Sequence, residues 1–241
     1  MAVSYFISDL HLAAQRPEST DTLLRFLGEL APRAEQLFIL GDLFEYWIGD
    51  EALDEPMPAQ VAAALRELAS KGTAVFFMHG NRDFLVGERF AQGAGLRLLP
   101  DPFMTSLYGT DTLLMHGDTL CSDDIEYLKF RNMVRNPAWQ TAFLAKPVTE
   151  RIELAHSVRA ESEHAKRSKS MTIMDVSTPT VESVLREHNY PRLIHGHTHR
   201  PATHHHVVDG RTCERIVLAD WYACGSYLEC DRNGCRAVTI D

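Results

Sequence analysis

Short apolar runs that stop abruptly at polar residues recur along this chain. Val3-Ser4-Tyr5-Phe6-Ile7 reads as a strand and stops at Ser8-Asp9-Leu10-His11. Gln36 to Leu40 repeats the pattern and stops at Gly41-Asp42. Thr73 to Met78 stops at His79-Gly80-Asn81-Arg82-Asp83, and Thr112 to Met115 stops at His116-Gly117-Asp118. Arg192-Leu193-Ile194 stops at His195-Gly196-His197-Thr198-His199-Arg200-Pro201. Apolar runs of about four to eight residues bounded by turn formers predict buried strands. Helical patterns lie between them. Thr20 to Leu30 spaces Leu23, Leu24, Leu27 and Leu30 as a helix does, with Pro32 beyond its end. Pro58 to Lys71 has proline at its start and Gly72 after its end, and Phe84 to Ala94 predicts a third helix. Alternating strands and helices predict an α/β layered fold. Such sheets bind ligands at the carboxyl ends of their strands. Unrelated surface turns would not place Asp, Asn or His at each of these exits, so the expected site lies there.

Residues 122–190 follow another pattern, mostly helical and with few strand signals. Between Ile125 and Ser170 stand nine Lys/Arg against five Glu, a balance of +4 in a chain whose net charge is -9, which leaves -13 elsewhere. Phe130, Met133, Val134, Trp139, Phe143, Leu144, Val148, Ile152 and Leu154 are interleaved with them. A basic amphipathic stretch can rest on an anionic membrane surface or cover an anionic amphiphile. It can equally be an ordinary helical pair with a solvated face, and composition alone leaves both open. Beyond Pro201, strands near Thr203 to Val208, Glu214 to Ala219, Ser226 to Cys230 and Arg236 to Ile240 predict a second sheet closing the fold. His204, His205 and His206 fall on the first of these and are not assigned to a metal.

Composition narrows the classes. A chain of 241 residues, 45% hydrophobic, can build one large domain, and the expected unit is a single domain over 1–241. The acidic balance argues against nucleic-acid binding. No apolar run approaches the roughly 20 residues that span a bilayer. The stretch MAVSYFISDLHL lacks a basic region and meets an acid at Asp9, so no signal peptide is expected. Five cysteines without a CxxC pair predict reduced thiols in a cytoplasmic protein.

The exits also define a chemistry. Asp9 and His11, two apart, share a face in an extended tail. Gly41 permits close backbone approach beside Asp42. Carboxylate, amide and imidazole ligands without thiolate suit catalytic Mn²⁺, Fe²⁺ or Zn²⁺ better than a structural zinc. The ordered set DxH, GD, GN, H and GHTH resembles the calcineurin-like metallophosphoesterase family over nearly the whole chain. The resemblance implies a four-layer α/β sandwich of two mixed sheets flanked by helices, with a dinuclear metal site. One ion would be held by Asp9, His11, Asp42 and His199. The other would be held by Asp42, Asn81, His116 and His197, with Asp42 bridging. A water shared by the ions would be the nucleophile. Asp83 and Asp118 would orient the ligands.

One departure is informative. Many members of that family carry GNHD or GNHE, whose His can protonate a leaving group; this chain has Arg82 there. Arginine cannot donate a proton near neutral pH but binds phosphate bidentately. That suits a leaving group that is already a phosphate. SDLHL, ILGDLFEYWIGD, HGNRDFL, MHGDTLCSDD, SKSMTIMDV and LIHGHTHRPA together are similar to the family of pyrophosphohydrolases that split UDP-2,3-diacylglucosamine in lipid A biosynthesis. This narrower resemblance implies release of UMP and 2,3-diacylglucosamine 1-phosphate by attack of metal-bound water on the α-phosphorus. It implies two Mn²⁺ per chain and a catalytic set of Asp9, His11, Asp42, Asn81, Arg82 and His116. Asn81, Arg82, Asp124, Tyr127, Arg159, Ser162, Lys166, Lys169 and His197 would contact the head group. The helical insertion 122–170 would form a lid that binds lipid. The partners implied are the UDP-linked lipid and the anionic cytoplasmic face of the inner membrane, with the protein a peripheral monomer. A general metallophosphatase acting on soluble substrates, a scaffold without catalysis, and a relative acting on a different UDP-linked lipid are the competing readings.

Overall fold

The computed structural model describes residues 2–168 and 175–240, with the side chains of 159–168 excepted. The strands are β1 (Ser4–Ile7), β2 (Gln36–Ile39), β3 (Ala74–Met78), β4 (Leu96–Leu99), β5 (Phe103–Leu107), β6 (Thr110–Met115), β7 (Arg192–His195), β8 (Ala202–Val208), β9 (Arg211–Val217), β10 (Gly225–Asp231) and β11 (Gly234–Ile240). The helices are α1 (Pro17–Arg25), α2 (Pro56–Ser70), α3 (Glu88–Ala94), α4 (Ile125–Val134), α5 (Pro137–Leu144), α6 (Val148–Ser168) and α7 (Thr178–Glu187). They build two mixed sheets, ordered β11-β10-β1-β2-β3-β4 and β5-β6-β7-β9-β8.

The period-two alternation of each strand explains the layering. Tyr5 and Ile7 of β1, Leu37 and Ile39 of β2, and Val75 and Phe77 of β3 pack toward α1, α2 and α3. Phe6, Phe38 and Phe76 point the other way, into the layer between the sheets. They sit opposite one another in register and stack at 4.8 Å per step. Leu114 and Ile194 meet them from the second sheet, while Leu113, Met115 and Leu193 face Val181 and Leu185 of α7. The result is helix, sheet, sheet, helix.

β1, β2 and β3 run parallel, as do β6, β7 and β9. Their carboxyl ends therefore collect along one side of each sheet.

Several expectations need correction. β10 and β11 do not join the second sheet: β10 pairs antiparallel with β1 and covers an edge that would otherwise be open. β4 and β5 form in segments without a clear alternation of apolar and polar residues. The helix expected from Phe84 begins only at Glu88, because its first amides are held by a distant side chain. Asp50 accepts from Gly87 N at 2.9 Å and Phe90 N at 3.1 Å. The helix expected from Thr20 begins at Pro17, and its last turn, Phe26–Leu30, widens to a π-helical one. The cysteines are not all reduced: Cys230 and Cys235 face each other across the β10–β11 hairpin, Cα atoms 4.1 Å apart, and form a disulfide. Cys121 and Cys213 are buried thiols, and Cys224 is exposed.

Helices α4, α5 and α6 lie between β6 and β7 and are tied to the sandwich by polar struts. Asp118 accepts from Tyr127 Oη at 2.5 Å and Arg131 Nε at 2.7 Å. Arg135 donates to the Gly80 carbonyl at 2.8 Å. Arg151, 2% exposed, donates to the Ile48 carbonyl at 2.6 Å and to both carboxylate oxygens of Glu51. Six of the ten large apolar side chains exposed among the described residues lie on these helices: Ile125, Met133, Leu144, Val148, Leu154 and Val158. No helix among the described residues is long and apolar enough to cross a membrane.

Replacing Arg151 with Ala removes a buried charged donor from the Ile48 carbonyl. Such losses cost about 2–3 kcal/mol. Urea unfolding should show this as a lower midpoint, and an unchanged midpoint would mean that the strut contributes nothing.

Candidate active site

The strand exits leave their sheets through tight turns. Asp9, His11, Asp42, His197 and His199 all have φ between 50° and 68°, in the left-handed region. Side chains with a Cβ seldom adopt it, and their clustering marks a functional locus. Backbone hydrogen bonds lock one turn to the next. Asp9 N donates to Gly41 O at 3.1 Å, His11 N to Asp42 O at 2.9 Å, and Gly196 N to His116 O at 2.9 Å. Asp83, fully buried, gathers two turns at once. It accepts from Gly80 N at 2.9 Å, Leu43 N at 2.7 Å and Asp42 N at 3.3 Å. The closeness demands glycine: a Cβ on Gly80 would lie 2.1 Å from Asp42 Oδ1, and one on Gly41 2.5 Å from Gly80 Cα.

The turns bring together all seven residues expected at a metal centre, in a closed circuit. Asp9 Oδ1 lies 3.3 Å from His199 Nε2, which is 3.3 Å from His11 Nε2. His11 Nε2 lies 3.8 Å from Asp42 Oδ2, and Asp42 Oδ1 lies 3.8 Å from His116 Nε2. Asn81 Oδ1 is 3.0 Å from both His116 Nε2 and His197 Nδ1. His197 N closes the circuit by donating to Asp9 Oδ2 at 2.9 Å. Asp42 thus stands between the two histidine groups.

Neighbours fix how these groups present themselves. His116 Nδ1 donates to the Leu40 carbonyl at 2.8 Å, which leaves its Nε2 lone pair facing the cluster. Asp9 Oδ2 is engaged by Ser8 and His197, whereas the buried Oδ1 faces His199 Nε2. Burial pushes Asp42 up to about 7; His116 opposes this, and the carboxylates of Asp83 and Asp9 add to it. Burial favours neutral His116, but Asp42, Asp118 and Asp9 outweigh it and raise the imidazole to about 9. His197 falls to about 3, through burial and then through its neighbour His116.

Divalent cations fit this donor set. The donor atoms of Asp9, His11 and His199 lie within 4.8 Å of one another, as do those of Asp9, Asp42 and His116. A buried carboxylate oxygen and two imidazole nitrogens, with successive spacings of 3.3 Å, are groups that a shared cation would satisfy.

The other expected residues distribute differently. The Arg82 side chain flanks the cluster, with Nη1 3.9 Å from Glu45 Oε1, while its backbone N donates to Asp42 Oδ1 at 2.8 Å. Asp124 caps α4 by accepting from Tyr127 N. The Tyr127 ring lies 6.1 Å from that of His197, and its hydroxyl is committed to Asp118. Asp118 therefore binds the inserted helices to the strand exit, and its charge also acts on His116. Asp83 orients its turns through backbone amides. His195, buried, turns away from the cluster and accepts from Arg215 Nη1 at 3.1 Å through Nε2. Arg159, Ser162, Lys166 and Lys169 lie outside the residues whose side chains are described. Sequence reasoning passed over Glu45 and Arg16. Glu45 Oε2 is 3.9 Å from His11 Nδ1 and 3.2 Å from Arg16 Nη2. A carboxylate three residues past Asp42, in the same exit turn, was the available signal.

An α/β sandwich with carboxylate, amide and imidazole groups gathered at its strand exits is the architecture of a metal-using phosphoesterase. The sequence matches the calcineurin-like phosphoesterase family over residues 4–201. A relative from Aromatoleum aromaticum, named UDP-2,3-diacylglucosamine hydrolase, is 53% identical over 95% of this chain and 93% of its own. Relatives of the same name from Stenotrophomonas maltophilia and Edwardsiella ictaluri are 51% and 48% identical, each over 98% of this chain and over 97% and 91% of their own. The chain belongs to the calcineurin-like phosphoesterase family, and within it groups with the hydrolases of that name.

Two outcomes test the geometry. Gly80→Ala should force Asp42 aside and lower hydrolysis of phosphate esters about 100-fold, the scale of an ångström of misplacement in an active site. Turnover near wild type would show that the turn tolerates a Cβ. Asp42 and His116 must each lose a proton to become ligands. Metal-stripped protein should therefore bind Mn²⁺ more tightly as pH rises from about 7 toward about 9, with proton release. Calorimetric titrations at several pH values check this, and a flat profile contradicts it.

Proposed function

We propose that this chain hydrolyses the pyrophosphate bond of UDP-2,3-diacylglucosamine to UMP and 2,3-diacylglucosamine 1-phosphate, the step that resemblance places in lipid A biosynthesis. The observation that carries the proposal is the closed circuit of seven donors with Arg82 beside it, in a chain about half identical to hydrolases of that name.

Asp9, His11, Asp42 and His199 would hold one Mn²⁺, and Asp42, Asn81, His116 and His197 the other. When bound, the two ions would supply an acidified water and positive charge for the phosphoryl oxygens. The protein's own groups do the rest. Asp42, between the two histidine groups, sets where the halves of the site meet. His116 is held by Leu40 in the tautomer that offers Nε2. Arg82 presents a fork of donors to a phosphate and supplies no proton. None is needed if attack falls on the α-phosphorus, because the bond that breaks releases a sugar phosphate as the leaving group.

The helices α4–α6 suit the lipid end. Two acyl chains keep a substrate at a membrane, since each buried CH₂ contributes about 0.8 kcal/mol. Exposed Ile125, Met133, Leu144, Val148, Leu154 and Val158 offer apolar surface for chains. Apart from the strut-forming Arg131, Arg135 and Arg151, the Lys and Arg residues of 122–170 offer charge for phosphates and for an anionic bilayer. In this reading residues 1–241 form one domain, 122–170 its lipid-binding lid, and the protein works as a peripheral monomer on the cytoplasmic face of the inner membrane. Tyr127, Asp124, Arg159, Ser162, Lys166 and Lys169 would complete head-group recognition.

The test is a product assay with detergent-dispersed UDP-2,3-diacylglucosamine, run beside UDP-N-acetylglucosamine and bis-nitrophenyl phosphate. UMP and the lipid monophosphate should form from the first substrate alone, stop on chelation and return with Mn²⁺. Arg82→Ala should cost about 10–100-fold on the lipid, the range for losing charged hydrogen bonds, and much less on the nitrophenyl ester. Turnover of the ester with the lipid untouched would refute the substrate and favour a general phosphodiesterase.

A further inference from the structure

β9 runs parallel to β7, so its exit reaches the same side of the sheet as the turn carrying His197 and His199. Its first residue beyond the strand is already tied there, with Leu218 N donating to His195 O at 2.8 Å. The next residues, Asp220-Trp221-Tyr222, touch three members of the cluster in succession. Asp220 Oδ2 lies 3.5 Å from His199 Nδ1. Trp221 N donates to the Asp9 carbonyl at 3.2 Å. The Tyr222 ring stacks on His11, centroids 5.3 Å apart and planes 11° from parallel, and lies 5.6 Å from His199. Asp9, His11 and His199 form one of the two donor groups, and these contacts of the segment fall on those three residues.

The segment is itself held firmly. Asp220 Oδ1 accepts from Tyr222 N at 3.0 Å, which leaves Oδ2 for the imidazole. Arg16 places its guanidinium 4.8 Å from the Tyr222 ring centroid and donates to the His11 carbonyl. Trp221 is buried and packs on Phe26.

We infer that Asp220 and Tyr222 are positioning residues for one metal ion only, the one held by Asp9, His11 and His199. The inference rests on the ligand reading above and assigns a role to a segment beyond the residues 4–201 matched by the family. Asp220 accepts the Nδ1 proton of His199 and so turns the Nε2 lone pair toward Asp9 Oδ1. Tyr222 fixes the ring plane of His11. A carboxylate behind a ligand histidine typically contributes 10–100-fold in metal affinity.

The test titrates metal-stripped, full-length protein with Mn²⁺, reading free ion by electron paramagnetic resonance and both affinities by chelator competition. Asp220→Ala and Tyr222→Ala should each weaken one ion per chain about 10–100-fold and spare the other. Asp220→Asn, which keeps an acceptor, and Tyr222→Phe, which keeps the ring, should restore most of the loss. Tyr222 is 54% exposed, so its variants leave the core intact even if Asp220→Ala disturbs folding. Two ions held with wild-type affinities in both alanine variants would overturn the inference, as would equal weakening of both ions. Wild-type protein that binds no ion would overturn the ligand reading itself and this inference with it, so the two failures are told apart.

Discussion

Five side-chain-bearing residues in a left-handed backbone conformation are the constraint on which this site depends. Each such residue costs about 1–2 kcal/mol relative to the ordinary conformation. The turns persist because they are bound to one another rather than to themselves. The first exit hangs on the second through Asp9, His11 and Leu12 amides, and the second and third are gathered by Asp83. In return, residues two apart aim at one point instead of running away along an extended chain. A single turn of this kind would relax; a set that shares hydrogen bonds cannot relax one member at a time.

The circuit also crosses the seam between the sheets. Asp9, His11, Asp42 and Asn81 leave the first sheet, whereas His116, His197 and His199 leave the second. The bond from His116 to the Leu40 carbonyl spans that seam, and the stacked Phe6, Phe38 and Phe76 beneath it set how the layers seat. Packing between the sheets and the spacing of donor atoms are therefore one problem. Cations would bind each sheet to the other as well as prepare a reaction.

Much of this was legible in the sequence because its causes are local. Strand alternation gave the layers, and an acid, amide or imidazole at successive exits pointed to the cluster. What escaped notice depends on partners distant in sequence. The edge of β1 that receives β10 leaves no mark within either segment. Cys230 and Cys235 look like any spaced pair until the hairpin sets them opposite each other. The start of α3 is decided by Asp50, far upstream. The hydrogen-bond partners of Asp118, Tyr127 and Arg131, come from a helix that follows and leave no mark beside His116. Asp220 and Tyr222 follow an apolar run as the other site residues do, but without glycine or a paired histidine to flag them.

The inserted helices meet the sandwich through polar and apolar side chains: Tyr127, Arg131, Arg135 and Arg151 reach Asp118, Asp101, Gly80, Ile48 and Glu51, and Trp139 and Phe143 pack into its core. None of the seven donors comes from the insertion. The residues gathered at the strand exits and the helices that border them are thus separate parts of one chain. A change confined to those helices can therefore leave every donor of the cluster in place.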